Sequence, residues 1–182
     1  NVMNKQREVI YQQRRLVLEG QNLKELILEM ASDVKQVQAD LYISREASSR
    51  EWDTLGFRNW LKTNFGLELE EKFFDGSYQD IAERVNGEIA SLYSSKEQSA
   101  SPEVMRHLER MVCLQVIDSK WKDHLYAMDN LREGIGLRAY GQRDPLVEYQ
   151  HEAYEMFSQM ISSIKNDIVD IIFKIQVQQQ PK

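Results

Sequence analysis

The chain has 182 residues, 42% of them hydrophobic and 29% charged, with a formal net charge of −6. That composition suits a folded globular protein, and the lack of a basic block argues against a nucleic-acid partner. Cys113 is the single cysteine, which excludes an intrachain disulfide and zinc sites of the Cys type. No apolar run reaches the ~18–20 residues that span a bilayer.

Only three Pro and eight Gly occur, a scarcity that favours long helices over many-turned β architecture. The fold class expected is all-α. The opening Asn1-Val2-Met3-Asn4-Lys5-Gln6-Arg7 runs straight into helical sequence with no initiator Met at position 1, and is expected to be a cut within a larger protein. Residues 1–43 are neutral, 44–101 carry net −4 and 102–182 net −2, so the acidity sits in the middle.

The first segment, 1–43, reads as one long helix. Leu23, Leu26, Ile27, Met30, Val34, Val37 and Leu41 recur at steps of three and four and line one stripe. Gly20 interrupts, at a cost of about 1 kcal/mol relative to Ala in a helix interior. Unbroken, the helix would be a strut about 60 Å long at ~1.5 Å per residue.

Residues 44–100 change character. Short apolar clusters (Trp52, Leu55, Phe57, Trp60, Leu61, Phe65, Leu67, Leu69, Phe73, Phe74) are punctuated by Gly56, Gly66 and Gly76, which predicts short helices and tight turns in a small inserted domain. Ile81, Val85, Ile89 and Leu92 resume a helical pattern. The polar run from Ser94 to Ser101 has the composition of a linker.

The third segment opens on Ser101-Pro102-Glu103, an N-cap, a first-turn proline and an acid that suits the helix dipole. Leu108, Met111, Leu114, Ile117, Trp121, Leu125, Met128, Leu131 and Ile135 then mark a long helix, and Gly134 and Gly136 are expected to end it in a left-handed conformation. Asp144-Pro145 starts another helix, with Tyr149, Ala153, Met156, Phe157, Met160, Ile164, Ile168, Ile171, Ile172 and Ile175 as its stripe. Two such helices, roughly 45–50 Å each, fold back as an antiparallel pair with a tip at 136–143.

Signals for chemistry are weak. No phosphate-binding loop or dinucleotide fingerprint occurs, and Gly134-Ile135-Gly136 follows a helix, not a strand. His107, His124 and His151 do not share a helix face, and surface or interface positions outweigh metal ligation. Cys113 lies between Val112 and Leu114, which favours a buried, inert thiol. Trp121 and the methionines at helical spacing favour core packing over a peptide groove.

The tip stands apart. Arg132, Arg138 and Arg143 face only Glu133 before Asp144, and Tyr140 stands beside Gly141. An ordinary capped turn explains this as well as a contact surface does. Aromatic plus arginine is nonetheless a common composition of contact hot spots.

Long stretches resemble the C-terminal half of the SecA family of protein-export ATPases. They are Val2-Met3-Asn4-Lys5-Gln6-Arg7 with Ile10-Tyr11-Gln12-Gln13-Arg14-Arg15, then Met105-Arg106-His107-Leu108-Glu109-Arg110 with Leu114-Gln115-Val116-Ile117-Asp118-Ser119-Lys120-Trp121-Lys122-Asp123-His124-Leu125. The third is Met128-Asp129-Asn130-Leu131-Arg132-Glu133-Gly134-Ile135-Gly136-Leu137-Arg138-Ala139-Tyr140-Gly141-Gln142-Arg143-Asp144-Pro145. The likeness covers the chain in order and is weakest over 44–100.

This resemblance implies a helical scaffold at 1–43, a helical wing at 44–100, and at 101–182 the second scaffold part with a two-helix finger. It implies that Tyr140, with Arg138 and Arg143, contacts unfolded preprotein. Trp121, Leu125 and Met128 are assigned to scaffold packing and to the finger's regulatory role. The chain itself is expected to be no enzyme and to hold no cofactor or metal, with ATP and Mg in the parent's motor domains. Implied partners are those motor and preprotein-crosslinking domains, the SecY channel complex and preprotein, with a possible homodimer. The implied location is cytoplasmic, at the translocon of an inner or thylakoid membrane. The alternative is a structural helical domain that self-associates when isolated.

Overall fold

The computed structural model describes residues 1–138, 141 and 144–177. Among them are six α-helices, two short 3-10 turns and no strands. The all-α expectation holds.

Helix α1 spans Val2–Glu19, with Asn1 capping its first turn by accepting from the Met3 amide at 3.1 Å. It stops at Gly20, whose φ of 68° is left-handed and whose amide reaches back to the Leu16 and Val17 carbonyls. Asn22 is left-handed as well, with φ 56°, and α2 (Leu23–Tyr42) follows. The expected single strut is therefore two helices, each about 27–30 Å long. The stripe also drifts from expectation. Leu23, Ile27, Met30, Ala31, Lys35 and Ala39 are buried in α2, whereas Val37 and Leu41 are exposed.

A 3-10 turn (Ser49–Glu51) leads to α3 (Thr54–Phe65), capped by the Asp53 carboxylate on the Gly56 amide at 2.8 Å. Gly56 lies inside this helix and not at a break, while Gly66 ends it with φ 72°. A second 3-10 turn (Glu71–Phe74) precedes α4, which spans Tyr78–Ala100 behind a Ser77/Asp80 capping box. The expected linker at 94–101 is thus the last two turns of α4. Its polar residues are the solvent and contact face of a helix, not a flexible join.

Helix α5 runs Pro102–Arg138 and α6 runs Pro145–Lys174, about 55 and 45 Å. Ser101 Oγ accepts from the Val104 amide at 3.3 Å, and Asp144 caps α6 by accepting from Leu146 at 3.0 Å, both at the predicted starts. Gly134 and Gly136 do not end α5. The helix continues through both to Arg138, and neither has a positive φ. The first three residues of the expected tip are helical. Met111, expected in the stripe, is half exposed.

The ion pairs Lys120–Asp167 and Arg138–Glu152 fix α5 and α6 as an antiparallel hairpin. Helix α1 lies antiparallel along α5, with Gln6 beside His124, Arg14 beside Asp118 and Gly20 beneath Arg110. One large apolar core joins α2, α3 and α4 to α1 and to the base of the hairpin. A smaller core of Met3, Met128, Leu131, Ile135 and Ala153 lies farther along the hairpin, and Trp121 packs against both.

Candidate functional site: the hairpin and its base

The free end of the hairpin combines greasy and charged groups. Leu137 in the last turn of α5 and Leu146 and Val147 in the first turn of α6 are 76%, 61% and 58% exposed. Arg138 reaches back to Glu152 on α6, so its charge is compensated within the hairpin instead of adding to a free basic tip. Tyr140 and Arg143 lie outside the described residues. Sequence reasoning singled out the ring and the arginines but missed the exposed Leu137, Leu146 and Val147. The signal was present: Leu137 lies within the expected tip, and Leu146 and Val147 follow just after it in sequence.

Trp121, Leu125 and Met128 occupy the hairpin's middle. Met128 is 1% exposed inside the smaller core, and Trp121 and Leu125 are half-buried at its border. The Trp121 ring lies 5.5 Å from that of His124, which in turn is 5.8 Å from Phe157. Of the surface or interface positions expected for the histidines, His124 takes an interface: it is only 5% exposed, between α5, α1 and α6. Burial lowers its pKa from the ordinary value. Gln6 on α1 is also buried. Its Oε1 is 2.7 Å from His124 Nε2, and its Nε2 donates to the Ala153 carbonyl at 3.1 Å.

At the base a buried charge network joins three helices. Glu109 on α5 is 0% exposed and receives Arg106 through two nitrogens and the Tyr93 hydroxyl of α4. Arg106 also donates to Glu97 of α4, which pairs with Lys24 of α2 at 3.1 Å. Burial and the Glu109 carboxylate push the Tyr93 hydroxyl well above the usual phenol range. Lys96 of α4 donates to the Phe173 carbonyl at 3.1 Å, in the last turn of α6.

Among the described residues no group of three or more His, Cys, Asp or Glu is placed to hold a metal ion. No described helix is long and apolar enough to cross a membrane. A cleft between α2, α3 and α6 is lined by Trp60, Asn64, Asp167 and Asp170, among others. Both carboxylates already carry lysine partners, Lys120 and Lys174.

A braced antiparallel hairpin with apolar side chains exposed toward its far end defines a helical scaffold module. The chain belongs to the SecA wing and scaffold domain family, whose model matches residues 1–176. It is 45% identical to the protein translocase subunit SecA of Desulforamulus reducens, over 97% of this chain and 21% of that protein. The SecA subunit of Pelotomaculum thermopropionicum is also 45% identical, over 98% of this chain and 20% of its own length. That of Syntrophomonas wolfei is 40% identical over 100% and 22%. The chain thus spans about a fifth of the length of these curated relatives.

Proposed function

We propose that this chain is the mechanical and regulatory module of a protein-export motor. It passes ATP-driven motion of motor domains, with their Mg, to preprotein at the mouth of a SecY-type channel. The supporting observation is the hairpin's shape: two long helices, anchored at one end by the large core, present Leu137, Leu146 and Val147 at the other. An apolar rim grips varied chains because dispersion and burial need no fixed partner geometry. Tyr140, with Arg138 and Arg143 beside it, belongs to this contact. Trp121, Leu125 and Met128 carry strain from the hairpin to α1. The module forms and breaks no bonds itself and works from the cytoplasmic face of the membrane.

The test is Tyr140→Ala, alone and with Leu146→Ala, in the full-length protein. Transport of a preprotein into vesicles is expected to fall about tenfold, the loss of a contact worth ~1.4 kcal/mol, with ATP binding and folding intact. Unchanged transport by both variants overturns the contact role. A second reading, self-association, is favoured by exposed Val9, Tyr11, Leu16 and Leu18 on α1. Light scattering that returns a dimer, with no binding to unfolded peptide, supports it.

A further inference from the structure

The smaller core holds one polar contact inside apolar packing. Gln6 and His124 are 6% and 5% exposed; the His124 ring lies against Trp121 and Phe157, and Trp121 packs on the core that holds Met3 and Met128. An amide oxygen can only accept, so His124 Nε2 carries the hydrogen and donates to Gln6 Oε1 across 2.7 Å. The other end of the same amide donates to the Ala153 carbonyl at 3.1 Å. One side chain of α1 therefore ties together both helices of the hairpin.

Apolar packing discriminates weakly between registers at this place. The inward stripe of α1 is Met3, Gln6, Ile10 and Val17. Sliding α1 by one helical turn, about 5.4 Å, brings Met3 or Ile10 to the place of Gln6. Each is apolar and of comparable volume, a kind of exchange that cores tolerate. The Arg14–Asp118 pair also marks the register, but its side chains are 41% and 52% exposed, and exposed pairs hold geometry poorly. The amide and the imidazole behave differently. Any slide leaves both buried without partners, which is among the more costly errors a core can contain.

We propose that Gln6 is the positioning residue that holds α1 in register on the α5–α6 hairpin, through its paired contacts with the His124 ring and the Ala153 carbonyl. A shift of α1 is then passed to both hairpin helices together and is not lost as sliding. That consequence rests on the reading of the hairpin as a lever; the register does not.

The experiment places spin labels at the exposed positions Glu8→Cys on α1 and Asn166→Cys on α6, in a Cys113→Ala background, and reads their separation by double electron–electron resonance. Replacing both polar groups, Gln6→Leu with His124→Leu, removes the pair without leaving an orphan. The expected result is a melting temperature close to the parent's and a second distance population displaced by about 5.4 Å, one turn. A single unshifted distribution overturns the inference. If the double variant does not fold, Gln6→Met alone is the second arm: it strands the buried His124 ring, so a lower melting temperature is expected, and the same two distance outcomes decide. A slipped register with unchanged ATP-driven transport by the full-length protein supports the register inference and sinks the lever reading.

Discussion

Burial holds His124 below the ordinary imidazole value of 6.5. Below about pH 6.5 the unfolded state therefore binds its proton more readily than the folded state does, and stability falls as pH falls; above that range the group contributes no slope. The melting temperature is expected to drop between pH 7.5 and pH 5.5, and Gln6→Leu with His124→Leu to flatten that drop. An equally steep drop in the double variant contradicts this. Cys113 shows the same physics on a thiol: it is fully buried, and desolvation, aided by Glu109, pushes its pKa up to about 12. Its inertness was legible from Val112 and Leu114 beside it. The burial of His124 was not, because its partner Gln6 lies 118 positions away and its own neighbours Asp123 and Leu125 give no sign of it.

At the scale of elements, two kinds of glycine separate. Gly20 is left-handed, a Cβ there would meet the Arg110 guanidinium at 2.2 Å, and it ends α1. Gly134 and Gly136 sit in the last turns of α5, with nothing within 4 Å of an added Cβ. Gly136→Ala should therefore stabilise α5 by about 1 kcal/mol and raise the Tm by ~2–4 °C for a chain of this size. A lowered Tm in thermal melts would place Gly136 in a left-handed cap after all. Spacing alone did not separate these cases, since each glycine interrupts a run with steps of three and four. Asn22, the second left-handed residue after Gly20, is what completes the break. Ser101-Pro102 and Asp144-Pro145 were legible because caps act locally. The end of α4 was not: Lys96 and Glu97 look like linker residues until Phe173, Arg106 and Lys24 stand opposite them. Lys35 likewise hid the true stripe of α2 by placing a charge on its buried face.

For the whole molecule, the helix order and the hairpin could be read from the sequence, but the joints between helices could not. The Glu109 network is the main joint, closing α4 on α5 and, through Glu97 and Lys24, on α2. Arg106→Ala strands a fully buried carboxylate, and such losses cost about 3–5 kcal/mol. Denaturant unfolding should show that loss, with hydrogen exchange rising first in α4. A change below ~1 kcal/mol would mean that Tyr93 alone satisfies the carboxylate. This joint holds the hairpin's base and Gln6 contacts its middle, while Leu137, Leu146 and Val147 are exposed toward its far end, the arrangement that the proposed lever uses. The measurement that bears most directly on this is site-specific photo-crosslinking in the full-length protein, stalled during transport of a labelled preprotein. A benzophenone side chain at Leu146 should crosslink to the moving chain in an ATP-dependent way, while the same probe at Tyr154, more exposed but two turns down α6, should not. Absence of a crosslink at Leu146, or equal yields at both positions, would contradict the account.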